Sequence, residues 1–286
     1  MRTILCATCE SIPNLTDDDQ ALIAPLAERG IQAKPAVWSD PRVDWAAADA
    51  VIIRSCWDYH LRLQRFLTWI SELERSAVPV WNVPATLRWN ARKSYLRDLE
   101  RKGVAIVPTV WPEDGFELAE KMRELGWNKA VVKPRVSATA YRTQLVSTDN
   151  TQSGQDLLDD LQHGSGAMVQ KFMETVSTHG EWSLIFFQGQ FSHAVIKRPK
   201  AGDFRVQHDF GGSERTAQPP DFALQAASRA IAAVEPVPLY ARIDGVESDG
   251  QFLLMELELL EPALFLKLAE GGAERFAAAI ALSASA

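Results

Sequence analysis

The chain reads as an α/β protein, α+β in part: an open parallel sheet at the N-terminus, then two further α+β units. Three observations carry this. Short apolar runs alternate with helical stretches up to residue 84. From about residue 176 the pattern changes to two adjacent apolar strands, EWSLIFF and FSHAVIKR, meeting at Gln188-Gly189-Gln190. Near the C-terminus, Glu256 and Glu258 stand two apart inside the apolar run LLMELELLEP. A chain of 286 residues is too long for one small core, and three units are expected at 1–84, 85–175 and 176–286.

TILCAT, at 3–8, reads as a strand. A helix is expected over 17–29, with Asp17, Asp18 and Asp19 near its N-terminus, where carboxylates suit the macrodipole, and Gly30 at its end. IQAKPAVW is a second strand, and the apolar run 50–53, turning polar at Arg54, is a third. LRLQRFLTWISELERS reads as a helix and VPVWN as a short strand. This alternation is that of an open parallel sheet. Ligands of such sheets bind outside the carboxyl ends of the strands. RSCWDYH falls at one such end, which makes Arg54, Asp58 and Tyr59 candidates for contacting a small polar substrate. The competing reading is a helix start capped by Asp58.

In the second unit, NARKSYLRDLERKG reads as a helix opened by Lys93 and stopped by Gly103. IVPTVW leads to a helix over 117–125. KAVVKPRVSATAYRTQLVS has two strand-like ends around a loop of small residues, and a helix over 154–162 precedes the strand AMVQKFM. After the hairpin of the third unit, 200–220 is rich in Gly, Pro and polar groups and reads as a long loop. Next come a helix over 220–234, a strand ending in Arg242-Ile243-Asp244, a turn at SDG and the acidic strand. AERFAAAIALSA closes the chain as a helix.

Composition narrows the function. A net charge of −7 argues against a basic nucleic-acid-binding surface. No apolar run approaches the ~20 residues a membrane helix needs, and no signal-peptide core opens the chain. Cys6, Cys9 and Cys56 make no disulfide framework, and Cys6-x-x-Cys9 has no second pair to complete a zinc set. A cytoplasmic enzyme or binding protein is expected.

In a strand, residues two apart share a face, so Glu256 and Glu258 project together while Leu257 and Leu259 pack behind them. Buried glutamates need compensation, and a hard cation such as Mg²⁺ chooses carboxylate oxygens. The competing reading is an edge strand with glutamates facing solvent. Asp244, two after Arg242, faces the same problem. Upstream stand Lys93, Lys133 and Lys197, with Arg205. A polyphosphate with Mg²⁺ needs both sets: cations on phosphate oxygens and carboxylates on the metal. Of the five histidines, His193 and His208 fall in the third unit and read as surface or structural rather than as facing a cleft.

The ordered set VVKP, QKFM, GE, R-x-D and E-x-E resembles the ATP-grasp superfamily of carboxylate–amine ligases. It is most similar to the glutathione synthetase-like and D-alanine–D-alanine ligase-like members. IRSCWDY and SHAVIKRPKAGDFRVQ followed by GG look most like the branch that includes the cycloserine-forming ligase, and so point to antibiotic biosynthesis. The resemblance covers nearly the whole chain. It implies an ATP-grasp architecture in which the second and third units clamp ATP. It places Lys93 and Lys133 on the phosphates, and Gln170, Lys171, Phe172 and Met173 at the adenine, with backbone groups of Lys171 and Met173 reading its edge. Glu181 would take the ribose hydroxyls and Lys197 the γ-phosphate. Asp244, Glu256 and Glu258 would hold two Mg²⁺, or Mg²⁺ with Mn²⁺. Arg242 would stabilise the acyl phosphate, and Arg205 would hold the substrate carboxylate or the transferring phosphoryl group.

Two departures stand out. The loop after Lys133, Arg135-Val136-Ser137-Ala138-Thr139-Ala140, lacks the family's glycines, leaving backbone N–H groups and the Ser137 and Thr139 hydroxyls to cover phosphates. Glu258 stands where many members have Asn. The implied reaction activates a small carboxylate as an acyl phosphate for attack by an amine, within or between molecules. A phosphotransferase and a non-catalytic ATP-binding module are the alternatives. Among relatives a homodimer is common.

Overall fold

The computed structural model describes residues 2–200, 202–206 and 210–284; His208 lies outside them. Among the described residues the strands form three sheets. The first contains β1 (Arg2–Thr8), β2 (Ile31–Val37), β3 (Ala50–Ser55) and β4 (Val80–Trp81), ordered β2-β1-β3-β4. All its pairings are parallel, as the alternating pattern predicts. Every residue of β3 is buried, because layers cover both faces of a parallel sheet. On one face, Val51 and Ile53 meet Phe66, Trp69, Ile70 and Leu73 of the helix Leu63–Arg75. On the other, Ile4 and Ile52 share a core with Phe187, Phe276 and Ile280 of the C-terminal unit. The first and third units are therefore packed on one common core.

The second sheet contains β5 (Thr109–Val110), β6 (Lys129–Pro134), β7 (Gln144–Ser147) and β8 (Ala167–Lys171), ordered β5-β8-β6-β7 and antiparallel throughout. The third contains β9 (Glu181–Phe187), β10 (Gln190–Arg198), β11 (Ser213–Thr216), β12 (Tyr240–Ser248) and β13 (Gln251–Glu258), ordered β11-β10-β9-β12-β13. No described helix is long and apolar enough to cross a membrane.

Several expectations need correction. The helix expected over 17–29 is two short helices, Asp17–Gln20 and Ile23–Ala27. Pro25 has no N–H and crowds the carbonyl four residues back, so one continuous helix cannot pass it. Lys93 does not open a helix; it sits between the helices Pro84–Asn90 and Tyr95–Arg101. Arg242 and Asp244 lie near the start of β12, not at a strand end. The loop over 200–220 contains the edge strand β11.

The edge-strand reading of the acidic stretch is right about topology: β13 is the last strand of its sheet. Its outer backbone is nevertheless satisfied. Val107 N donates to Leu254 O at 2.9 Å, and Leu254 N to Ala105 O at 2.9 Å. Asn90 Nδ2 donates to Leu257 O, and Asn90 Oδ1 accepts from Leu259 N, both at 2.8 Å. The Tyr95 hydroxyl accepts from Leu257 N at 2.9 Å. A covered edge keeps β13 from pairing with another chain and fixes how its glutamates point.

Candidate active site

A cleft of 290 Å³ lies between the second and third sheets. β6 and β8 supply Lys133, Gln170 and Lys171 on one side, and β12 and β13 supply Arg242, Asp244, Glu256 and Glu258 on the other. Glu181 and Lys197 enter from β9 and β10, which pair in register at these two residues. Gly180 makes that entry close: a Cβ there would stand 2.7 Å from Lys197 O. A second glycine shapes the acidic wall. The β12–β13 register shifts between Asp244 and Gly245, and a Cβ on Gly245 would stand 2.3 Å from Phe252 Cζ and 2.6 Å from Leu253 O. Before that shift Arg242 opposes Glu258 and Asp244 opposes Glu256. All four side chains thus face one cleft, while Leu257 and Leu259 pack in the core behind.

Ion pairs organise the charges. Lys93 donates to Glu256 and, at 3.1 Å, to Ser137 O. Lys197 lies 2.6 Å from Glu181 and 3.5 Å from Asp244. Arg242 reaches Asp244 at 2.9 Å and Glu258 at 2.5 Å. Ser183, opposite Asp244 in register on β9, also donates to it. Lys133 differs: it donates to Gln170 Oε1 at 3.1 Å and has no carboxylate partner among the described residues. Burial lowers its pKa despite the field of Glu256.

The carboxylates split in consequence. Burial opposes the charge of Asp244, but Arg242 and Lys197 override it and hold the group at about 2. Glu256 is likewise lowered, by Lys93 and Lys133 against burial. Glu258 goes the other way: burial, with Asp244 and Glu256 adding to it, outweighs Arg242 and raises it to about 8. Burial also raises Glu261, to about 7, against the pull of Lys93.

The nucleotide-side candidates gather as well. Ser137, Thr139, Phe172 and Met173 line the cleft. The Lys171 N–H is taken by Pro108 O at 2.8 Å, whereas the Met173 N–H has no hydrogen-bond partner among the described residues. The glycine-free loop bends by another means: Thr139, Ala140 and Arg142 all take positive φ, at 48°, 54° and 51°. Arg205 reaches the cleft, pairs with Asp203 at 2.8 Å and lies 3.6 Å from the centroid of the Phe210 ring.

The three substrate candidates separate. Tyr59 lines the cleft. Arg54 does not: it is 1% exposed, paired with Asp19 at 2.9 Å and donating to Pro262 O at 2.7 Å. Its guanidinium also lies 5.0 Å from the Tyr240 ring centroid. A guanidinium so enclosed joins the first and third units and cannot meet a substrate. Asp58 accepts from Trp38 Nε1 at 2.7 Å and from Arg62; it makes no helix-capping bond. His193 is buried on Leu264 O at 2.8 Å, a structural place. Sequence reasoning missed Trp57 and Ser183, and it reads Glu261, beside Pro262, as lying at the exit of the acidic strand and outside the metal set. Ser183 was legible, since it stands two after Glu181 on one strand. Trp57 and Glu261 follow strand ends, where two-residue periodicity stops.

The carboxylate oxygens of Asp244, Glu256 and Glu258 suit a hard divalent cation by type and by adjacency on two paired strands. As they stand, lysine and arginine neutralise them, and no three His, Cys, Asp or Glu among the described residues form a metal-holding group.

Comparison with known proteins agrees with this architecture. Residues 4–82 match the family model described as the N-terminal domain of D-cycloserine synthetase DcsG. The cycloserine biosynthesis protein DcsG of Streptomyces lavendulae is 30% identical over 269 residues, covering 88% of this chain and 89% of that protein. The chain belongs to the DcsG family of ATP-grasp ligases. The crystal structure of D-cycloserine synthetase DcsG superposes with a TM-score of 0.88 at 28% identity, over 99% of both chains. The D-alanine–D-alanine ligase of Bacillus anthracis complexed with ATP shares the fold, with a TM-score of 0.72 at 17% identity over 100% of this chain and 98% of that one. Within this DcsG-family chain, the cleft between the second and third sheets is where the paired lysines, arginine and carboxylates gather.

Proposed function

We propose that the cleft binds ATP with Mg²⁺ and that the chain joins a small amino-acid-like carboxylate to an amine, releasing ADP and phosphate. One observation carries the reading: Lys93, Lys133, Lys197 and Arg242 share a cleft with Asp244, Glu256 and Glu258. A carboxylate is a poor electrophile until its oxygen is phosphorylated, and phosphoryl transfer asks a protein for positioning and charge neutralisation. No serine–histidine pair is needed.

Lys133, without a carboxylate partner, meets the phosphates. Lys93 and Lys197 exchange carboxylate contacts for phosphate contacts as nucleotide enters. The Met173 N–H and the Gln170–Phe172 backbone face the adenine, and Glu181 the ribose. Asp244, Glu256 and Glu258 would hold Mg²⁺, or Mn²⁺ in its place, and the metal would supply charge neutralisation for phosphoryl transfer. Arg242 stabilises the acyl phosphate, and Arg205 holds the transferring phosphoryl group or the substrate carboxylate. The likeness to a protein of cycloserine biosynthesis supports attack by an amine within the same molecule, closing a ring, and a place in antibiotic biosynthesis.

Product analysis with purified chain tests this. ADP and phosphate should form only when carboxylate and amine are both present, in one molecule or two. A stable phosphorylated product without amine would mark a phosphotransferase instead. Sedimentation measures whether the chain acts as a homodimer.

A further inference from the structure

Glu181, Asp244, Glu256 and Glu258 each meet a lysine or arginine in the cleft. Glu261 lines the same cleft and forms no ion pair among the described residues. The carboxylate's hydrogen bond is to its own backbone N–H. The backbone here serves the fold: Glu261 O accepts from Trp57 Nε1 at 3.0 Å, and the next carbonyl, Pro262 O, accepts from Arg54. The side chain therefore contributes nothing visible to packing, yet it places a carboxylate in a half-buried setting, where an uncompensated charge is costly. Glu214 also lines the cleft without an ion pair, but on the edge strand β11, between the exposed Ser213 and Arg215.

Lys93 and Arg242 act on the Glu261 carboxylate only through space, so the position for a cation in direct contact with it is left to a ligand. Phosphates are excluded, because a carboxylate without its own cation repels them. The surroundings suit an organic cation: Trp57 and Tyr59 line the cleft together with Glu261, and a carboxylate beside aromatic side chains recognises ammonium groups by charge and by ring faces. These aromatics come from the carboxyl end of β3, where an open parallel sheet places small ligands. Arg242, facing the same space, supplies the opposite charge.

We propose that Glu261 holds the ammonium group of the amino-acid-like substrate and so turns its reacting end toward Arg242. The proposal rests on the ligase reading above and adds a residue and a chemical requirement: the substrate carries a free amino group that binds at Glu261. Glu261 is on this view a substrate-binding residue that selects amino acids over hydroxy acids.

The test uses the purified 286-residue chain with D-serine and D-alanine as amino probes and D-glycerate and D-lactate as their hydroxy counterparts. The nonhydrolysable nucleotide AMP-PNP with Mg²⁺ is titrated separately. Wild type should bind the amino probes in preference. Glu261→Gln should weaken them at least about tenfold, bring the amino/hydroxy ratio to about one, and leave AMP-PNP affinity unchanged, while Glu261→Asp keeps part of the preference. Because the side chain has no ion-pair partner and its charge is costly to bury, the melting temperature should not fall. Three results overturn the proposal alone while AMP-PNP still binds wild type. The first is no amino preference in wild type, the second an unchanged preference in Glu261→Gln, and the third a loss of bound Mn²⁺ in Glu261→Gln, which would make it a metal ligand. Absence of AMP-PNP binding by wild type overturns the ligase reading, and this proposal with it.

Discussion

Lys93 and Glu256, 163 positions apart, form an ion pair across the floor of the cleft. Lys93 comes from a connection between two short helices, held where its N–H donates to Arg135 O at 2.7 Å. Glu256 comes from the covered edge strand. The pair is thus a meeting of the second and third units at the point where phosphate and metal are proposed to sit.

Glu256→Gln should reduce turnover at least about a hundredfold, because one metal oxygen and its charge are lost together. Lys93 keeps Ser137 O and the field of Glu258, so the fold should survive with a stability loss below ~3 kcal/mol. Steady-state ADP release and chemical denaturation check the two halves. Full activity in this variant would remove the metal role from β13.

Lys133→Met should behave differently from any change at Lys93. Lys133 has no ion-pair partner to leave stranded and burial works against its charge, but Glu256 loses part of its compensating field and the buried Gln170 Oε1 loses a donor. Stability should fall by no more than ~1–3 kcal/mol, while AMP-PNP affinity falls at least about tenfold. Calorimetric titration beside thermal melting separates these effects.

Arg54→Met should be a folding mutant rather than a substrate-binding one. Removing the guanidinium leaves Asp19, 4% exposed, as a buried carboxylate without its cation. The cost should be ~3–5 kcal/mol, and the double variant with Asp19→Asn should cost less than the single one. Urea denaturation of both variants reads the difference.

The three cysteines are buried and unpaired, so no native thiol should react with a soluble disulfide reagent at pH 8, and three should react after unfolding. Burial raises Cys6 from 9.0 to about 12. The unfolded chain then releases this proton first as pH rises. The contribution of Cys6 to stability is complete below pH 9.0 and is lost progressively up to about pH 12. Denaturation midpoints over that range, compared with Cys6→Ala, isolate the effect.

Much of this was legible in residue order. Apolar runs alternating with helical stretches predict the parallel N-terminal sheet, because β3 must be apolar on both faces to lie between two layers. The two-residue spacing of Arg242 with Asp244, and of Glu256 with Glu258, predicts a shared face, since the pleat alternates strictly. Arg54 shows where such reasoning ends. Its place after an apolar strand made it a candidate for substrate, and only the packing of the first unit on Tyr240, Phe276 and Pro262 turns it into a buried tie. Glu261 reads from the sequence as lying at the strand's exit, outside the metal set, and there the reading stops: beyond the last residue of β13 no period says which way a side chain points.

By itself, then, the sequence determined the strand and helix types, the faces of the paired charges and the family to which the chain belongs, because these depend on local periodicity and on motif order. The tertiary structure alone decided which cation meets which carboxylate, that Lys133 is left without one, and that Glu261 opens onto the cleft. Those are distances between residues far apart in the chain, set by how three sheets pack.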